Sequence, residues 1–175
     1  MAEPEPAEPA VTTSGPLETE RLAEAIAPIA GPGDVIGLTG ELGAGKTRFV
    51  RGLARGLGLE PAAISSPTFV LLQEHAPAEP DRPVLVHVDA YRLEGPAGLA
   101  TIGWEAEGQE LREGAVVVIE WAQVVAAGLG PDWLEVTLVH TGEESRRLIF
   151  SPHGRWQDKM PHLHPAIRGQ RGRKR

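Results

Sequence analysis

Eight consecutive residues, Gly40-Glu41-Leu42-Gly43-Ala44-Gly45-Lys46-Thr47, carry the types and spacing of a loop that wraps nucleotide phosphates. Each type answers a chemical need. Glycines at 40, 43 and 45 allow backbone angles that a Cβ disfavours and let main-chain amides come close to anionic oxygens. Lys46 supplies a compact positive charge for the terminal phosphates, in a chain with 14 Arg and 3 Lys. Thr47 supplies a hydroxyl of the kind that binds Mg²⁺. Glu41, Leu42 and Ala44 complete the candidate ATP-binding loop.

Phosphoryl chemistry also requires a metal to be held and a water or acceptor to be oriented beside the terminal phosphate. Two apolar runs deliver an acid at their C-terminal ends, where ligands gather in open α/β sheets: Val116-Val117-Val118-Ile119-Glu120 and Val84-Leu85-Val86-His87-Val88-Asp89. Glu120 and Asp89 are both candidates to bind Mg²⁺, directly or through water, the other then orienting the attacking water. Thr68, following Pro67, is a candidate sensor of the terminal phosphate.

The elements that must position these residues are legible around them. The apolar run 34–39 follows Gly31-Pro32-Gly33 and reads as a buried strand after a turn. Phe49, Val50, Leu53, Ala54 and Leu57 recur at helical spacing after the loop, with Gly56 and Gly58 as a stop. An amphipathic helix is expected from about Glu18, with Leu22, Ala25, Ile26 and Ile29 on one face, ending between Pro28 and Gly33. A turn running into a strand is expected at 65–72, a loop at 76–83, and strands at 84–89, 115–120, 133–140 and 147–150. Helical or irregular chain fills 95–111. This alternation predicts an α/β fold: a single P-loop NTPase-like domain with a mostly parallel, mixed sheet flanked by helices.

Composition bounds the rest. The chain has 175 residues, 41% of them hydrophobic, and no cysteine, which suits one core in a reducing compartment and excludes disulfides and thiolate metal sites. The longest apolar stretch, 114–130, carries Glu120, so no membrane span is expected and the cytoplasm is the default location. Residues 1–14 read as a disordered acidic and proline-rich tail, 15–151 as the ATPase domain, and 152–175 as a flexible basic extension. The net charge is −7, yet 162–175 contains Arg168, Arg171, Arg173, Lys174 and Arg175 without an acid. Such a tail either grips phosphate backbones or simply solvates the chain. Arg48, Arg51 and Arg55 share a helical face that is either solvated or directed at a partner's acidic surface or at nucleic-acid phosphates. His162 and His164 have no further ligand nearby in sequence to complete a metal site.

The phosphate loop with Phe49-Val50-Arg51-Gly52-Leu53, then Ser66-Pro67-Thr68-Phe69, His87-Val88-Asp89-Ala90-Tyr91-Arg92-Leu93, Ile102-Gly103 and Ile119-Glu120-Trp121, resembles the ordered signature of the TsaE family, also called YjeE. The resemblance runs from about Leu17 to about Phe150. It implies a small ATPase that supports formation of threonylcarbamoyladenosine at position 37 of tRNAs reading codons that begin with A, in a complex with TsaD and TsaB proteins. It also implies that Lys46 meets phosphate, that Thr47 and Glu120 serve Mg²⁺, and that Asp89 is the second acid. Trp121 matches a characteristic tryptophan. The chain departs from the family pattern at Ala122, where proline is common, and at Ala90, where leucine is common.

Two rival functions use the same loop. A small-molecule kinase of the P-loop class would add an acceptor pocket and arginines that clamp phosphate, for which Arg92, Arg146 and Arg147 are available. A nucleotide switch or RNA-binding adaptor would rely on the basic tail.

Overall fold

A computed structural model describes residues 8–65, 71–104 and 113–169. Seven strands form one sheet: β1 (Ala10–Thr13), β2 (Val35–Thr39), β3 (Leu72–His75), β4 (Val84–Asp89), β5 (Ala115–Glu120), β6 (Leu134–His140) and β7 (Arg146–Pro152). Their order is β1-β7-β6-β2-β5-β4-β3. The central four, β6-β2-β5-β4, run parallel; β7 on one flank and β3 on the other run antiparallel to them, and the edge strand β1 is antiparallel to β7. This is the mixed sheet with a parallel centre that the alternating pattern predicts.

All six residues of β5 are buried because both faces of the sheet are covered. Val116 and Val118 look into one core with Leu22, Ile26, Phe49, Val50 and Leu53 of the helices α1 (Pro16–Ile26) and α2 (Lys46–Gly56). Val117 and Ile119 look into the other, with Val86, Val88, Leu99, Trp104 and Trp133. The two-residue period of a strand therefore assigns faces: Leu85, His87, Val118 and Glu120 belong to the α2 side.

Helices α1 and α2 pack with their backbones almost touching. A Cβ on Gly52 would lie 2.0 Å from the Glu20 carbonyl oxygen, so glycine is what sets this spacing. Beside it the buried Glu20 carboxylate accepts from Arg48 at 3.0 Å and Arg55 at 3.2 Å. Arg51 donates to the Ile64 carbonyl at 2.9 Å. The arginine face expected to be solvated or partner-directed thus also makes bonds within the chain, with Arg48 and Arg55 remaining exposed to solvent.

Two boundary expectations require correction. The 1–14 tail contributes β1, whose Ala10–Thr13 pair with Ile149–Arg146 of β7; Pro-rich composition concealed the alternating burial of Val11 and Thr13. The segment 152–175, expected as a flexible extension, begins with the end of β7 and continues into a helix, α3 (Trp156–Gly169). Trp156, Met160, Leu163 and Ile167 recur at spacings of four, three and four and enter the helix-side core. That apolar stripe outweighs the backbone hydrogen bonds lost at Pro161 and Pro165 inside the helix. The cations beyond Gly169 lie outside the described residues.

Candidate phosphate-loop site

Strand β2 ends at Thr39, the loop follows, and α2 starts at Lys46, so the amides of the first helical turn face the loop with no intrahelical partner. Gly43 and Gly45 take positive φ values of 75° and 101°, the left-handed region that favours glycine. Gly40 has φ 151°, and a Cβ there would approach the Leu138 carbonyl to 2.6 Å. The fold of the loop thus needs glycine at three of its eight positions. Leu42 stands at its exposed tip.

Lys46 is buried, and its ammonium arches over the loop to donate to the carbonyls of Gly40 at 2.8 Å and Glu41 at 2.9 Å. The indole of Trp121 covers it, with Nζ 3.7 Å from the ring centroid. Burial pushes the Lys46 ammonium below the ordinary lysine range, and the Glu120 and Asp89 carboxylates pull it back up. Both strand-end acids therefore lie within electrostatic reach of the loop lysine.

Thr47 and Glu120 are in direct contact. The Thr47 hydroxyl lies 3.0 Å from each Glu120 oxygen, and His87 Nε2 lies 2.9 Å from Oε1. The carboxylate is 3% exposed and His87 is fully buried, with no hydrogen-bond partner for its Nδ1 among the described residues. Asp89 ends β4 beside Glu120 in the parallel register, and its Oδ1 accepts the Tyr91 amide at 3.0 Å. This turn brings the Tyr91 ring against Trp121, 4.9 Å between centroids. Trp121 itself has φ 59°, the one non-glycine residue with positive φ among those described. A strained backbone thus aims its indole at Lys46.

The donors gathered here are hard oxygens, a hydroxyl and a carboxylate, which suit Mg²⁺. Among the described residues no group of three or more acids or histidines forms a cage for a metal ion. Mg²⁺ characteristically binds through one or two carboxylates together with substrate phosphates, and this donor set fits that habit.

The structure brings together Gly40 to Thr47, Asp89 and Glu120; Thr68 lies outside the described residues. Two participants were not assigned their observed places from sequence. His87 lies two residues before Asp89, and strand alternation was the signal that turns it toward the same face. Arg146, weighed only as a phosphate clamp, donates instead to the loop carbonyls of Gly43 and Ala44, each at 3.1 Å. Nothing local marks that contact, because it spans about a hundred residues. Arg147 is exposed on β7.

Residues 13–149 match the family described as Threonylcarbamoyl adenosine biosynthesis protein TsaE. The chain is 34% identical to the tRNA threonylcarbamoyladenosine biosynthesis protein TsaE of Bacillus subtilis, over 81% of this chain and 84% of that one. It is 40% identical to the protein of the same name from Streptomyces coelicolor, over 77% and 91% of the two chains. The crystal structure of Bacillus subtilis YdiB superimposes with a TM-score of 0.69 at 30% identity, covering 89% of this chain and 93% of that one. No helix among the described residues is long and apolar enough to cross a membrane.

Proposed function

The chain belongs to the TsaE family, with a role in tRNA threonylcarbamoyladenosine biosynthesis, and from that premise we propose that it is a Mg²⁺-dependent ATPase supporting this modification. It works in the cytoplasm with TsaD-like and TsaB-like proteins and, through them, on tRNA. The observation that carries the reading is the meeting of the Thr47 hydroxyl and the Glu120 carboxylate at 3.0 Å, beside Lys46 at the start of α2. A hydroxyl, a carboxylate and an ammonium converging at a helix N-terminus match the needs of a metal-bound triphosphate.

In this reading the loop amides and Lys46 hold the phosphates, and Thr47 and Glu120 hold Mg²⁺, which neutralises charge developing on the phosphate oxygens. His87 fixes the rotamer of Glu120 from inside the sheet. Asp89 accepts a proton from, or orients, the attacking water. Thr68 senses the terminal phosphate.

The test is ATP turnover by the purified chain with and without Mg²⁺, alone and with TsaD-like and TsaB-like proteins, scored together with threonylcarbamoyladenosine formed on tRNA. Mg²⁺-dependent turnover accompanied by modification is expected. Absence of turnover in every mixture would overturn the proposal, as would modification that proceeds equally without this chain.

A further inference from the structure

We propose that Arg146 is the positioning residue of the phosphate loop, holding its peptide groups in the polarity that presents N–H to phosphate. This rests on the reading of Gly40 to Thr47 as a nucleotide site. One guanidinium donates to five main-chain carbonyls. Nε reaches Ala44 and Nη2 reaches Gly43, each at 3.1 Å, while Nη1 reaches Gly142 at 3.3 Å, Glu143 at 3.2 Å and Ser145 at 2.8 Å. It thereby rivets the turn between β6 and β7 onto the loop between β2 and α2. The turn is itself closed by Thr141 N–H donating to the Ser145 carbonyl at 3.1 Å.

The consequence follows from peptide geometry. In a trans peptide the C=O and the N–H of the next residue point in opposite directions, and the described chain has no cis bond. With the Ala44 carbonyl fixed on Nε, the Gly45 N–H is aimed away from the guanidinium. The Gly43 carbonyl, fixed on Nη2, likewise sets the Ala44 N–H, which donates back to Glu41 at 3.1 Å and closes the loop. Glycines at 43 and 45 make the loop foldable and also give it freedom to flip its peptides. Arg146 removes that freedom from outside. The flat fork of arginine spans two successive carbonyls on one edge and three on the other, which a lysine ammonium cannot do.

A positioning residue on this side of the loop acts on binding and not on the metal-bearing side, where Thr47, Glu120 and His87 sit. The experiment compares wild type, Arg146→Ala and Arg146→Lys for MgADP affinity by calorimetry, thermal midpoint, and KM and kcat for ATP. We expect MgADP affinity to fall about tenfold or more in both variants. KM should rise in parallel, with kcat at saturating ATP within about twofold of wild type. Lysine should not rescue, although it keeps charge and stem and preserves the fold. MgADP affinity within twofold of wild type in a folded Arg146→Lys protein would overturn the proposal. So would a fall in kcat at unchanged KM. A wild-type protein that ignores MgADP would instead overturn the nucleotide-site reading beneath it.

Discussion

Replacing Glu120 by glutamine keeps the shape of the side chain and removes its charge, and the structure allows the outcome to be sized. The carboxylate accepts from the part-buried Thr47 hydroxyl and from the buried His87, both within 3.0 Å. A hydrogen bond to a charged group contributes about 1.5–3 kcal/mol and one between neutral groups about 0.5–1.5. The exchange therefore removes about 1 kcal/mol for each of two bonds. The amide also turns an NH₂ toward one of the two donors, leaving a buried donor unmet at about 1–3 kcal/mol. Relief of the desolvated charge offsets part of this. A net loss of about 2 kcal/mol remains, which lowers the thermal midpoint of a domain this size by about 4–8 °C. The loop amides and Lys46, which the proposed function assigns to phosphate, are untouched, so nucleotide measured in chelator should bind as tightly as to wild type or more so. Mg²⁺-dependent turnover should fall about 100-fold or more. A Glu120→Gln protein with the wild-type thermal midpoint and wild-type Mg²⁺-dependent turnover would refute the reasoning.

Four other perturbations have defined outcomes. Gly52→Ala should cost about 3 kcal/mol in urea unfolding, because the new Cβ meets the Glu20 backbone and the helices must separate; a cost under about 0.5 would contradict the contact. Trp156→Ala should cost about 3–5 kcal/mol and leave MgADP affinity unchanged in the folded protein, since α3 serves the core and not the loop; weakened MgADP affinity would contradict that separation. The Lys46 ammonium titrates below the ordinary lysine range in the folded chain, so between the two values the unfolded chain binds more protons and this group's contribution to stability rises with pH. Lys46→Met should abolish that alkaline rise in a stability–pH profile, and persistence of the rise would assign it to another group. The Glu18 carboxyl is held below the usual range by the Ser14 amide and then by its hydroxyl. The stability it supplies is full above the unfolded value and fades as pH falls through the folded one. Ser14→Ala should shrink that acid-side component, as read from the Glu18 carboxyl titration by NMR.

The glycine-rich loop, α2 and the strands β4 and β5 were legible because each is a local pattern: glycine spacing, a helical stripe, and a short apolar run ending in an acid. The pairing of Thr47 with Glu120 was legible as chemistry, since both types suit one metal, although 73 residues separate them. Strand β1 was hidden because four residues in a proline-rich context become a strand only by borrowing hydrogen bonds from β7. Helix α3 was hidden because Pro161 and Pro165 mark a break by propensity, and burial of Trp156 and Leu163 overrides it. Arg146 shows the same limit from the site side: five carbonyls collected by one side chain leave no trace in the local sequence.

The indole of Trp121, pressed on the Lys46 ammonium and flanked by Tyr91, makes the molecule its own optical probe. The three other tryptophans are buried in the two cores and furnish a background emission. Whatever draws the ammonium toward an anion changes the surroundings of one fluorophore in four, so loading of the pocket is expected to register as a change in intrinsic fluorescence, without a dye or tag.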